Sequence, residues 1–415
     1  MSGDVKKKVL ESIRAEEVIE LAGKLIKIPS ENPPGDTGEI ASFIKDYLGE
    51  VGVESELHEP VKGKISLVAR IGGGGDKELV LNGHMDVVPA GDRSRWSFDP
   101  FSGEVRDGYI LGRGSSDMKG GLAGAIYAFR KLVEFEKELA GTLTLACVAD
   151  EETGGENGAG YLVSKGIAVG SAVLIAEPTG MEFVDVGQKG TFWVRITVHG
   201  KPVHGSLAPF AGENAILKAA DLMKELLSVT ELRPKLSEEM RRVVEESKPM
   251  VDKLVKMKGM GKILDRPTIN IGIIKGGTKI NMVPERCEID VDTRVPVGMK
   301  SEQLAEYVQK IVSKYGGEIT YLERSEPNFT SPDSEIAKLV AENAAQILGF
   351  RPKPLIEWAS SDARFYRAKN VPTVHYGPGE LDLIHGYNER VKAEDVVKAA
   401  KVYAGTAVDY LRPGA

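Results

Sequence analysis

Residues 79–89 read LVLNGHMDVVP. Leu79–Leu81 is an apolar run of the kind that fills a buried strand, Asn82-Gly83 interrupts it, and Pro89 forbids a regular continuation. His84 and Asp86 therefore stand where a strand leaves the core. Taken alone, the stretch admits two readings. Either it is a capped strand end with a solvated aspartate, or His84 is a metal ligand whose other ring nitrogen is held by the Asp86 carboxylate. The same grammar recurs outward from this point. SLVAR (66–70) and ELVLN (78–82) are strand-like, GGLAGAIYAFRKLVEF (120–135) is helical, TLTLACVA (142–149) is a strand, GAGYLVSKG (158–166) a helix and AVLIA (172–176) a strand. Before them, one helical pattern runs from Val9 to Leu25 and stops at Pro29. Strands alternating with helices predict an α/β domain with helices on both faces of its sheet.

From about Gly187 the pattern changes. TFWVRITVH (191–199) alternates strictly, with Phe192, Val194, Ile196 and Val198 on one face. A helix over Glu213–Leu227, the strands PTINIGIIK (267–275) and CEIDVDTRV (287–295), a helix from Ser301 and the strand EITYLER (318–324) follow. That βαββαβ order is ferredoxin-like. The charged stretch Lys235–Lys262 reads as a solvated helical excursion. After Pro327 the α/β pattern resumes with a helix over Ser334–Leu348, the strand VPTVHYG and a final helix. The expected organisation is a catalytic domain in two parts, 1–186 and 327–415, with residues 187–326 inserted as a smaller domain. The run IGGGGD (71–76) leads into a strand rather than a helix, so it reads as a hairpin turn and not as a phosphate loop.

At 415 residues, 42% hydrophobic and 28% charged, the chain has the composition of a globular protein of two or three domains. Its net charge of −7, with no basic tract interleaved with aromatics, argues against a nucleic-acid partner. No run of 18 apolar residues occurs, which argues against a membrane span. The amino-terminal segment is charged throughout, and the two cysteines, Cys147 and Cys287, sit in strand-like patterns. Reduced thiols and a cytoplasmic location are expected.

Acids and histidines cluster where apolar runs stop. Asp150, Glu151 and Glu152 follow LACVA, Glu177 follows VLIA, His385 lies in the loop beyond VPTVHYG, and Asp117 precedes a Gly-rich helix start. Individually each has a plain structural reading: a helix cap, an acidic turn, a surface histidine. In open α/β sheets, however, ligands bind outside the carboxyl ends of the strands, where all of these fall. Two histidines and three carboxylates suit borderline divalent ions, and five ligands are too many for one catalytic ion that keeps an open position. They suit two ions roughly 3.5–4 Å apart sharing a carboxylate. Of the pair Glu151-Glu152, one would be a ligand and the other a proton acceptor. His58 and His375 carry no such context; the latter is expected to pack beside its strand.

NGHMDVVP (82–89), GRGSSDMKGG (112–121), ADEETGG (149–155), AEPT (176–179), HGKPVHGSLAPFAGENAI (199–216), INMVPERCEIDVDTRVP (280–296) and HGYNE (385–389) together resemble a known family. It comprises the di-zinc amidohydrolases and metallopeptidases that include acetylornithine deacetylase, succinyl-diaminopimelate desuccinylase, carboxypeptidase G and aminoacylase. The resemblance implies a mixed-sheet zinc-hydrolase domain with an inserted ferredoxin-like lid and dimerisation domain. It implies one metal on His84 and Glu177, another on Glu152 and His385, and Asp117 bridging them before a cis peptide to Met118. Glu151 would be the general base, and Asp86 would orient His84. His204 would stabilise the oxyanion, in a homodimer often across to the partner's site, while Asn281 and Arg294 would hold the substrate carboxylate. Glutamate at position 177 points to a deacylase or carboxypeptidase rather than an aminopeptidase. The expected activity is hydrolysis of N-acyl amino acids, with a carboxypeptidase or dipeptidase as the alternative. Zinc is the expected metal, and cobalt and manganese also suit the ligands.

Overall fold

A computed structural model describes residues 2–412 and resolves them into two compact units. The first comprises the chain up to Val186, Thr330–Leu355 and the chain from Ser361 onward; the second is Gly187–Phe329 with Ile356–Ser360.

In the first unit the strand Glu78–His84 lies between Thr142–Val148 and Ala172–Ile175 and runs parallel to both. Thr373–His375 extends the parallel set beside Ala172–Ile175. On the other side, Lys64–Gly72 pairs antiparallel with Thr142–Val148, and Ser55–Val61 pairs antiparallel with Lys64–Gly72. The sheet is therefore mixed. Leu79, Val80, Leu81, Leu143, Leu145, Val173 and Leu174 are all buried, as strands covered on both faces require. Because the central strands are parallel, their carboxyl ends lie along one edge, and the next residues of each project from it. One expectation is corrected here. The run 71–76 is no hairpin turn, since Thr142–Val148 sits between the two strands that it joins. Two of its glycines serve close approach instead: a Cβ on Gly72 would lie 2.4 Å from the Gly141 carbonyl oxygen, and one on Gly75 1.9 Å from that of Ala140.

Elsewhere the apolar periodicity hid breaks. The single amino-terminal helix expected is two, Ser2–Ser12 and Ala15–Lys27, separated at Arg14, whose backbone is extended. Ser55–Val61, with alternating exposure, belongs to the sheet although its sequence SELHEPV is mostly polar. A small antiparallel sheet of Val105–Arg106, Tyr109–Leu111 and Arg390–Lys392 also escaped the pattern, its strands being two or three residues long.

The second unit holds a four-stranded antiparallel sheet in the order Thr268–Gly276, Arg286–Val295, Gly190–His199, Glu318–Arg324. With the helices Ala215–Leu226 and Ser301–Lys314, that is the ferredoxin-like order. Phe192, Val194, Ile196 and Val198 are at most 1% exposed and pack with Leu222, Leu226, Leu304 and Val308. The charged stretch contains the helix Glu238–Leu254, with Val243, Val244, Met250 and Val251 buried. Among the described residues, no helix is long and apolar enough to cross a membrane.

Candidate metal centre

The polar groups at the sheet edge converge. His84 is the last residue of Glu78–His84, 1% exposed, with Nε2 3.1 Å from Asp117 Oδ1 and 3.5 Å from Glu177 Oε1. His385 brings its Nε2 within 3.2 Å of both Asp117 Oδ2 and Glu152 Oε2. Asp117 thus shows one oxygen to each imidazole. The remaining oxygen of Glu152 accepts the Val88 N–H at 3.1 Å. Ligand atoms of His84, Asp117 and Glu152 lie within 4.8 Å of one another, as do those of His84, Glu151 and Glu177. Asp117–Met118 is a cis peptide, as the resemblance led one to expect.

Local backbone explains the aim of these groups. Asp150 takes a left-handed φ of 74°, turning the chain sharply off Thr142–Val148 so that Glu151 and Glu152 face back toward the strand ends. Its carboxylate is held by Lys64, by Thr153 Oγ1 at 2.7 Å and by Asn157 N at 3.0 Å. His385 is likewise left-handed, with φ 60°.

Asp86 does something other than expected. His84 Nδ1 is 2.8 Å from the Asp86 main-chain carbonyl, while the nearer carboxylate oxygen is 3.8 Å away. That carboxylate accepts the N–H groups of Glu151 and Glu152, each at 3.2 Å, and the Asn32 amide at 2.8 Å. The sharp turn at Asp150 presents two successive N–H groups, and a buried acceptor is best satisfied there. Asp86 fixes the loop that carries both glutamates; the histidine ring is fixed by main chain.

The electrostatics are those of crowded anions. Burial pushes the Glu151 carboxyl well above the usual carboxylate range, and the Glu177 and Asp362 carboxylates add to the rise. Burial and Asp117 raise Glu152. Burial opposes an imidazolium at His84, but Glu177 and Asp117 outweigh it and hold its pKa well above the usual histidine value; His385, bonded to Asp117 and Glu152, is raised to about 10. A cluster that draws protons this strongly fits divalent cations, and nitrogen and oxygen donors without thiolate fit borderline ions such as zinc.

The other predicted residues lie in the second unit. His204 and Asn281 are neighbours, since Gly205 N donates to Asn281 O at 2.8 Å and His204 bridges to Met282. His204 Nδ1 is 2.7 Å from Ser206 Oγ. Arg294 forks onto Asp292 at 2.9 and 3.3 Å and also reaches Thr191 Oγ1 at 3.3 Å. His375, expected beside its strand, is buried within it, with Nδ1 2.8 Å from Asp185 Oδ2 and Nε2 3.0 Å from Ser361 Oγ. Sequence reasoning passed over Asn32, Arg113, Asp362 and Glu389. Arg113 and Glu389 stood within stretches already singled out, GRGSSDMKGG and HGYNE, but nothing there marked them off from their neighbours.

A mixed α/β sheet edge with two imidazoles and a ring of carboxylates defines a metal-dependent hydrolase. Residues 80–409 match the peptidase family M20/M25/M40, and the chain belongs to that family of dinuclear metal-binding hydrolases acting on amide bonds. It is 29% identical over 424 residues to an uncharacterized metallohydrolase of Methanocaldococcus jannaschii, covering 94% of this chain and 98% of the relative. To succinyl-diaminopimelate desuccinylase of Cereibacter sphaeroides it is 28% identical over 408 residues, covering 94% and 98%. A metallo-carboxypeptidase of Sulfolobus solfataricus shares the fold with a TM-score of 0.80 at 24% identity, covering 95% of this chain and 99% of that one.

Proposed function

We propose that the protein hydrolyses the amide bond of N-acyl amino acids, in the manner of acetylornithine deacetylase and succinyl-diaminopimelate desuccinylase. The observation that carries the reading is Asp117, with one oxygen 3.1 Å from His84 and the other 3.2 Å from His385. His84 and Glu177 would hold one ion, Glu152 and His385 the other, and Asp117 both; zinc fits, as do cobalt and manganese. When bound, two such ions polarise the scissile carbonyl and lower the pKa of a bound water toward about 7. Glu151 takes the water's proton on a carboxylate oxygen and returns it to the leaving amine nitrogen.

In this reading residues 187–326 form a lid and dimerisation domain. His204 donates to the developing oxyanion, in a homodimer to that of the partner's site, and Asn281 and Arg294 hold the substrate carboxylate. For Arg294 this requires sharing the guanidinium that now faces Asp292. The substrate reading is supported by the desuccinylase relative, and a cytoplasmic location by the composition. The second reading, a metallo-carboxypeptidase or dipeptidase with the same ions, draws on the Sulfolobus solfataricus neighbour.

The test is release of free amine, with and without chelator, from N-acetylornithine, N-succinyl-diaminopimelate, several N-acetyl amino acids and a few dipeptides. Chelator-sensitive turnover of an acyl amino acid supports the proposal. Turnover of dipeptides alone moves the protein to the second reading.

A further inference from the structure

His84 and His385 are held very differently. The His84 ring is 1% exposed and its Nδ1 is tied to main chain, whereas the His385 ring is 53% exposed and sits in a loop. Something must hold that loop against the sheet edge, and four residues on lies a buried ion pair. Glu389 is 0% and Arg113 2% exposed, with Arg113 Nη1 2.5 Å from Glu389 Oε2. The other oxygen of Glu389 accepts the N–H groups of Ser116 at 2.9 Å and Asp117 at 3.1 Å. Arg113 Nη2 reaches the Pro89 carbonyl at 3.4 Å, on the segment that follows His84 and Asp86, and its guanidinium lies 5.2 Å from the Trp96 ring centre. The loop is further stitched by Gly112 N to Glu389 O at 3.0 Å and by Ser116 Oγ to Arg390 O at 2.7 Å.

We infer that Glu389, clamped by Arg113, is a positioning residue that holds the His385 loop on the Asp117 turn, and so sets the affinity of the ion shared by Glu152 and His385. The inference rests on the dinuclear reading above and extends it. A buried ion pair is weak grounds for stability by itself, because desolvation offsets the attraction. This pair has a different use. A carboxylate offers one oxygen to the guanidinium and the other to two main-chain donors, which no neutral isostere can do. Glu389→Gln turns an NH2 group toward either Arg113 or the Ser116 and Asp117 N–H groups. The loop then loses its tether while the His84 side, held by main chain and Glu177, keeps its own.

The experiment is calorimetric titration of the metal-free protein with Zn2+ alone. Wild type is expected to take up two ions. Glu389→Gln should keep one near wild-type affinity and bind the other about 10–100-fold more weakly. Its thermal midpoint in chelator should lie below that of wild type, because buried donors are left facing one another, but its turnover should recover as free Zn2+ is raised. Arg113→Lys, which keeps charge but loses the fork, should weaken the same ion by a smaller factor. If Glu389→Gln does not fold, Glu389→Asp decides by the same criteria. Two ions at wild-type affinity in the folded variant, or equal weakening of both, overturns the inference and leaves the dinuclear centre standing. Uptake of a single ion by wild type overturns the dinuclear reading itself, and this inference with it.

Discussion

Asp86 shows how far a residue's role can be read from its neighbours in the chain. Its position two residues after His84 suggested a carboxylate that steadies the imidazole. The folded chain gives that task to the Asp86 carbonyl, 2.8 Å from Nδ1, and gives the carboxylate to the Glu151 and Glu152 N–H groups. No sequence pattern announces that, because it depends on the left-handed turn at Asp150. Asp86→Asn should therefore disturb the glutamates more than the histidine. One of two N–H donors would meet an amide NH2, a loss of about 1–3 kcal/mol locally, and turnover should fall about 10–100-fold. The NMR signal of the His84 Nδ1 proton should stay where it is in wild type. A shifted or exchanging signal, with turnover kept, would return Asp86 to the role first expected of it. His204→Ala should lower the rate by roughly 10² to 10³, as loss of an oxyanion donor does, with metal content unchanged; loss of metal instead would make His204 a ligand.

At the scale of elements, what the sequence showed well was whatever the apolar period controls. The parallel strands, their abrupt polar ends and the ferredoxin-like order were all legible, since buried strands must be apolar and half-exposed ones must alternate. The helix break at Arg14 and the short strands around Tyr109 were not, because neither leaves more than a residue or two of signal. Close packing adds a test. The helix Gly120–Leu132 starts against the strand that ends before Glu177, and a Cβ on Gly121 would stand 2.0 Å from the Ala176 carbonyl oxygen. Gly121→Ala should destabilise by about 1–3 kcal/mol, and calorimetric unfolding checks it; an unchanged midpoint would mean that the strand end yields freely. In the second unit, Lys189 is 1% exposed and donates to the carbonyls of Ile263 at 2.8 Å and Arg266 at 3.0 Å. Burial pulls its ammonium down to about 7. The unfolded chain then binds more protons than the folded one from about pH 7 up to the ordinary lysine value near 10.4, so stability from this group rises with pH across that window. Lys189→Met should look best relative to wild type at pH 7 and lose ground toward pH 10. Denaturant unfolding of both proteins at the two pH values measures it, and a constant difference would show that Lys189 titrates normally.

For the whole molecule, the legible part was the constellation: His84, Asp117, Glu152, Glu177 and His385 are spread over 300 residues of chain and share one sheet edge because parallel strands end together. What composition and pattern could not show were the groups that aim them, Asn32, Arg113 and Glu389, whose roles exist only in three dimensions. If the cluster holds its ions in the folded state alone, chelation should abolish turnover and lower the thermal midpoint of the first unit. At a hundredfold excess over Kd each ion contributes about 2.7 kcal/mol, and scanning calorimetry with and without chelator reads the shift. No shift would mean that the cluster does not bind metal in the folded chain. The most direct experiment is to measure bound metal and amine release on the same preparation of Glu151→Gln, beside wild type and on the acyl amino acid that wild type turns over best. Two ions per chain with turnover lost is the expected result. Wild-type turnover by a variant that lacks this carboxylate would contradict the assignment of Glu151 as the group that moves the proton.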